Sequence, residues 1–489
     1  MRPTPPIELT GSAPRWGDGV AVTSELLDQL RAIAPVDDAE DVTADASRDW
    51  WPLAMHWALA GQVPSRAAAV VRPTSTEQVG AVLRACRGAA VPVTPAGGRS
   101  AVTGAAAPAF GGVVLDLTGL DRIGDVDTVS GIVEAGAGVF GPDLESTLAG
   151  YGLSVGHFPQ SLELATVGGW VACRGSGQYS TRYGKIEDLV VGLEVVLADG
   201  TVVRTGGAPA AATGPDLTQL FCGSEGTLGV VTTVWLRAHP VPVAERRAAY
   251  SFASFADGVE ACRVILRNGA TPAVLRLYDE VESMGSGRGG DGSSCTLLVL
   301  DEGDPRIVDA TMDVVADACR LGAPASAALV DAWLEHRNDT SALQALTRKG
   351  YVVDTMEIAA PWSRLDALFR DVRAALSAVP HARAATCHLS HSYTDGACLY
   401  FTFAALPPAD LVESTYVAMW DAGQRAVLAG GGNLSHHHGV GINRARFAAE
   451  ALGEGLTVLA AVKAALDPAG ILNPGKLGLA SPFGASPWP

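Results

Sequence analysis

Apolar residues recur at helical spacing over 24–33 and again around 50–59, and then the period changes. Residues 67–72 (AAAVVR) read as a short strand stopped by Pro73. Ser75, Glu77 and Gln78 supply an N-cap with acidic and amide partners for a helix over 79–86. VPVT at 91–94 is a second strand, and the glycine-bearing loop 95–104 follows it, which makes an α/β unit. Further strands are expected at 112–117, 131–135 and 230–235, with short helices at 143–148 and 216–221. Pro240 and Pro242 then punctuate the chain, and the texture changes. Helical patterns at 255–267, 306–321 and 362–379 alternate with strands at 274–278, 295–300 and 397–403, while 285–294 reads as a flexible surface loop. The predicted organisation is an arm with helices over 1–60, a first domain over 61–240, an α+β cap over 241–429 and a returning C-terminal segment over 430–489.

One stretch, 156–199, is dense in glycine, with Gly168-Gly169 and Gly175-x-Gly177, and ends in an apolar segment over 186–196 read as a core strand. Glycines at that density let backbone approach something that is not protein, and backbone N–H groups displayed this way hold phosphates. A literal GxGxxG at 136–141 also follows a strand and precedes a helix. The Rossmann reading of it is the weaker one. Pro142 opens the helix directly after the third glycine, and the loop GHFPQ follows where a strand ending in an acidic residue is required.

Composition narrows the class. With 48% hydrophobic and 18% charged residues in 489, the chain is a packed globular protein of two or more domains. A net charge of −17 argues against a general nucleic-acid or anionic-membrane binder, and leaves room for a local basic pocket. The eight cysteines include no CxxC, so reduced thiols are expected. No secretory signal and no apolar run of spanning length is seen, so a cytoplasmic protein without stable membrane insertion is expected.

Four glycine-bearing segments taken in order are specific where each alone is not: PAGGRS at 95–100, VEAGAG at 133–138, ATVGG at 165–169 and GSEGTLGVVT at 223–232, with NPGK at 473–476. They resemble the PCMH-type FAD-binding domain of the vanillyl-alcohol oxidase superfamily. The fold implied is α+β, a two-part PCMH-type FAD-binding domain with a cap built on an antiparallel sheet. By that resemblance the FAD-binding residues are Pro95, Ala96, Gly97, Gly98, Arg99, Ser100 and Ala101 in the first loop. Pro159, Ser161, Thr166, Gly168, Gly169, Ala172, Ser176 and Gly177 follow in the central stretch, then Glu225, Gly226, Gly229, Val230 and Asn473. A narrower resemblance, to alkylglycerone-phosphate synthases, rests on GHFPQSLELATVGGW at 156–170, YGKIEDLV at 183–190, ACLYFTF at 397–403 and SHHHGVG at 435–441. It implies that Tyr400 abstracts a substrate proton and that His436, His437, His438 and Arg276 stand at the flavin site.

These residue types suit those roles. Tyrosine normally holds its proton, so Tyr400 needs cationic or imidazole neighbours to act as a base, and the histidines are candidates to supply them. Arg276 suits a substrate carboxylate or phosphate. The bland alternatives are an ordinary strand aromatic for Tyr400 and a solvated loop or zinc site for the histidines. Three consecutive imidazoles cannot all point one way, so flavin lining is preferred and no metal is expected. His388 and His391 either face the same pocket or pack as core histidines. Arg99 adds a charge beside the expected diphosphate, no histidine in that loop offers a covalent flavin link, and whether Arg348 replaces a cap arginine of the synthases is open. The expectation is an FAD-dependent oxidoreductase, with FAD held non-covalently, acting on a small alcohol, hydroxy acid or related anionic metabolite. A synthase-type transfer without net redox change is the alternative, an inactive flavin-binding protein a third, and a homodimer is left open.

Overall fold

The computed structural model describes residues 5–17, 19–285 and 289–488, so part of the predicted surface loop at 285–294 lies outside the described residues. Three sheets organise the chain. A four-stranded sheet runs in the order Val36–Asp37, Ala69–Val71, Val113–Asp116, Val93–Ala96, with the last three parallel. The helix Thr76–Gly88 connects two of them, capped by the Ser75 hydroxyl accepting from the Gln78 N–H. A five-stranded antiparallel sheet follows in the order Val202–Gly206, Val190–Val196, Val230–Arg237, Ile132–Gly136, Ile123–Asp127. Both sheets share one apolar core that includes Val93, Val113, Val133, Leu193 and Val234.

The third sheet is antiparallel and seven-stranded, in the order Ala323–Ala325, Ala244–Phe252, Cys295–Gly303, Val274–Tyr278, Ala382–Ser392, Gly396–Ala405, Val352–Pro361. Strand periodicity sorts its residues. Leu277, Leu389, Leu399 and Ile358 enter the core made with the helices Phe255–Arg267, Trp362–Ser377 and Val412–Ala429. The alternate residues, among them Arg276, His388 and Tyr400, are directed to a cavity on the other side. The fold is α+β, as the sequence implies.

The elements differ from expectation in particular ways. Ile186–Leu189 is a short helical turn, and the core strand starts only at Val190, because the Asp188 carboxylate accepts the Lys185 N–H and closes a turn there. The strands Val352–Pro361 and Ala382–Ser392 and the helix Val412–Ala429 were not expected. The GxGxxG segment is a tight strand-to-helix turn ahead of Gly141–Ala149, as the weaker standing of the Rossmann reading implies.

Candidate functional site

A cavity of about 490 Å³ lies between the two smaller sheets and the seven-stranded one. Its floor is loop backbone. Residues Pro95 to Ala101, Pro159, Ser161, Thr166, Gly168, Gly169, Ala172, Ser176, Glu225, Gly226, Gly229 and Val230 all line it. Close packing demands glycine here. A Cβ on Gly98 would sit 1.8 Å from the Leu164 carbonyl oxygen, and one on Gly168 would sit 2.6 Å from the Ala137 Cβ.

Two of the expected cofactor residues stand behind the wall instead. Gly177 is needed because its Cβ would lie 2.6 Å from the Phe158 nitrogen. Asn473 is buried, and its Nδ2 donates to the carbonyls of Ala105 and Glu225, tying three loops together. Arg99 does line the cavity, but its guanidinium turns to Asp45, with Nη2 donating to Oδ2 at 2.9 Å and Nη1 to the Asp45 carbonyl. The charge expected beside a diphosphate is therefore already paired.

The wall opposite includes three residues, Tyr400, His388 and Tyr278, of a row across the seven-stranded sheet whose fourth member, Glu357, is buried behind it. Glu357 pairs with Tyr400, Tyr400 with His388, and His388 with Tyr278. Directly opposed residues share a face, so four chemical side chains from four strands line up. The Tyr400 ring stacks on His388 at 4.7 Å between centroids, and its hydroxyl donates to Thr355 Oγ1 at 3.0 Å. Burial pushes the Tyr400 phenol well above its ordinary value. Arg276 donates from Nε to the Tyr278 hydroxyl and from Nη2 to His388 Nε2, both at 2.8 Å. A guanidinium can only donate, so His388 Nε2 is the acceptor and its Nδ1 carries the proton toward Glu282 at 3.0 Å.

The histidine loop closes the site. Three buried or half-buried imidazoles, on His391, His436 and His437, crowd together, with centroids 4.9–5.2 Å apart. His436 Nδ1 and His437 Nδ1 share a hydrogen bond at 2.8 Å, and His436 Nε2 shares one with the Tyr393 hydroxyl at 2.7 Å. His391 Nδ1 meets Ser176 and Ser180. His437 and His438 line the cavity, whereas His436 lies one layer behind them. Burial, with Lys185 nearby, lowers His436 to about 3, and burial with neighbouring imidazoles holds His437 and His391 well below their ordinary value. The cluster is therefore neutral. It offers Tyr400 proton acceptors, and does not supply the cations that would acidify it. Cys398, His436 and His437 also bring one ligand atom each within 4.8 Å of one another. The two imidazoles satisfy each other with a shared proton, and burial pushes the Cys398 thiol well up, against a thiolate ligand.

Glu357 was not expected, and it holds the loop. It accepts from the Ser435 hydroxyl, from the N–H groups of His437 and His438, and from both Nη atoms of buried Arg444. His438 Nδ1 lies 2.9 Å from its Oε2, out of line for a hydrogen bond. Burial alone would raise this carboxyl, but Arg444 and His438 hold it well below the usual range. Glu225 plays the matching part from the other half of the site, accepting from the N–H groups of Val440 and Gly441. A strand that carries two acidic residues, Asp354 and Glu357, within Val352–Pro361 was the available sequence signal.

Comparison with known proteins adds the family. The FAD binding domain family matches residues 67–206, and the C-terminal domain of FAD linked oxidases matches 241–477. The uncharacterized FAD-linked oxidoreductase YgcU of Escherichia coli is 32% identical over 431 residues, covering 84% of this chain and 88% of its own. The chain belongs to the FAD-linked oxidase family. Within that family the alkyldihydroxyacetonephosphate synthase of Dictyostelium discoideum is 30% identical over 457 residues, covering 85% of this chain and 74% of its own. A solved alkyldihydroxyacetonephosphate synthase structure superposes with a TM-score of 0.79 at 26% identity, covering 96% of this chain and 89% of that one.

This FAD-linked oxidase family member uses FAD, and the cavity suits it. Buried polar atoms without a protein partner stand on its wall: both nitrogens of His157, Nε1 of Trp50 and Trp170, Oε1 of Gln178 and Oγ of Ser390. Groups desolvated and unpaired in this way are costly unless a polar ligand meets them. Among the described residues no helix is long and apolar enough to cross a membrane.

Proposed function

We propose that the protein is an FAD-dependent oxidoreductase that oxidises a small alcohol, hydroxy acid or related anionic metabolite. The observation that carries this is the cavity face of the seven-stranded sheet, where a protonated phenol, neutral imidazoles and a guanidinium converge on the flavin-binding loops. FAD would be held by the loops 95–101, 159–176 and 224–230, and when bound it supplies a hydride acceptor. The protein's own part is to orient the substrate and take its hydroxyl proton. Tyr400 would pass its proton toward neutral imidazole as it takes the substrate's, a role supported by His437 on the cavity wall with its ring centroid 6.0 Å from that of Tyr400. From His437 the hydrogen-bonded chain continues through His436 to the half-buried Tyr393, which gives that proton a route away from the cavity.

Anaerobic mixing of the FAD-loaded protein with short 2-hydroxy acids and alcohols tests this. Lasting bleaching of the flavin, reversed by oxygen or an electron acceptor, is expected. The second reading, a transferase of the alkyldihydroxyacetonephosphate synthase type, is favoured by the TM-score of 0.79. Against it, Arg348 points away from the cavity and pairs with Glu8 through two hydrogen bonds. Conversion of acyl-dihydroxyacetone phosphate and a long-chain alcohol without oxygen use would sink the oxidoreductase reading.

A further inference from the structure

Besides Arg99 and Arg276, the cavity is lined by a third arginine that no motif pointed to. Arg337 follows the helix Ala328–His336 and reaches the cavity beside Trp333. Its guanidinium carbon lies 5.7 Å from the Trp333 ring, 5.2 Å from Tyr179 and 5.8 Å from Phe158. Arg276 meets the same Trp333 ring at 6.0 Å. The two cations differ in what they have left to give. Arg276 spends Nε and Nη2 on Tyr278 and His388 and is held in place by them. Arg337 has a buried Nη1 with no hydrogen-bond partner, and among the described residues neither arginine has a carboxylate within ion-pair distance. Arg337 also borders a second, smaller pocket of about 260 Å³ lined by Phe158, Tyr179, Tyr183 and His239, so it stands at the seam between the two spaces.

Aromatic faces hold a guanidinium in place but do not neutralise it, and a desolvated donor left unpaired costs free energy. A planar fork of donors facing a cavity matches an oxyanion bidentately. We propose that Arg337 is the anion-recognition residue of this cavity, binding a carboxylate or phosphate group carried by the substrate, while Arg276 positions His388. This deepens the reading above and rests on the cavity being the joint flavin and substrate site. It gives a chain of net charge −17 a local cationic end where a small anionic metabolite would be selected.

The test is calorimetric titration of the FAD-loaded protein with oxalate and, separately, with inorganic phosphate. Saturable binding of at least one is expected, and which one binds tells carboxylate from phosphate recognition. Arg337→Gln should weaken that binding by ~10-fold or more, and Arg337→Lys should retain part of it. FAD affinity and thermal melting should match the wild type in both variants, which separates loss of the anion site from loss of the fold. Equal affinity in wild type and Arg337→Gln, or no saturable binding of either anion to the wild type, would overturn the proposal. If anion binding is Arg337-dependent but no hydroxy acid or alcohol reduces the flavin, the anion site stands and the oxidoreductase reading falls.

Discussion

The two walls of the cavity recognise by different means. The loop wall, proposed above to hold the flavin, is backbone, brought close by glycines whose added Cβ atoms would collide with neighbouring main chain, as at Gly98. The wall on the seven-stranded sheet is side chain, drawn one residue at a time from Tyr400, His388 and Tyr278 on three strands, with Glu357 next in the row and buried beneath the histidine loop. A backbone site is written in contiguous motifs, because the residues that touch the ligand are neighbours in the chain. A cross-strand site is written in register, which no local stretch contains. On the proposed reading the first wall serves the FAD that the family shares, and the second is where its members can differ in the reaction they run.

Breaking the second wall should cost most. Glu357→Gln removes the carboxylate that neutralises Arg444, both being fully buried, and leaves an unpaired guanidinium in the interior. A loss of ~3–5 kcal/mol is expected, read as a lower midpoint in urea unfolding. The carboxylate on the other side of the histidine loop acts with opposite sign. Burial raises Glu225 to about 7 from 4.5. A carboxyl with a raised value binds more protons folded than unfolded, so its contribution is full below 4.5 and fades as pH rises through about 7. Glu225→Gln should flatten that decline in the stability of FAD-free protein; an unchanged slope would show that Glu225 does not titrate there. The smallest effect is expected at Arg99. Its charge is already paired with Asp45, so Arg99→Ala should change FAD affinity by less than ~10-fold. A larger loss would mean that the guanidinium turns to the diphosphate after all.

What could be read from the sequence follows the same division. The four glycine segments implied the FAD-binding fold because each is contiguous in the chain, and each lends residues to the lining of one cavity. His438 and Tyr400 were legible through contiguous signatures as well. Glu357, Tyr393 and Arg337 were not. Glu357 reaches its partners across the pairing of Val352–Pro361 with Gly396–Ala405, and Tyr393 reaches His436 from a residue 43 positions away. Arg348, the cap arginine nearest the sequence expectation, is on the surface, and Arg337 took the cavity because the helix before it carries Trp333 there. His436 and Asn473 were expected at the cavity and stand behind it, since sequence adjacency does not say which of two successive side chains faces inward.

On the proposed reading one wall binds FAD while the other handles the substrate's proton. Tyr400→Phe and Gly98→Ala, measured side by side for bound flavin and for anaerobic flavin reduction by the substrate found in the hydroxy-acid and alcohol screen, test it most directly. Tyr400→Phe is expected to retain FAD while reduction slows by ~100-fold to 10,000-fold. Gly98→Ala is expected to lose FAD, because the added methyl has no room beside the Leu164 carbonyl. Reduction at the wild-type rate in Tyr400→Phe, or full flavin content in Gly98→Ala, would contradict it.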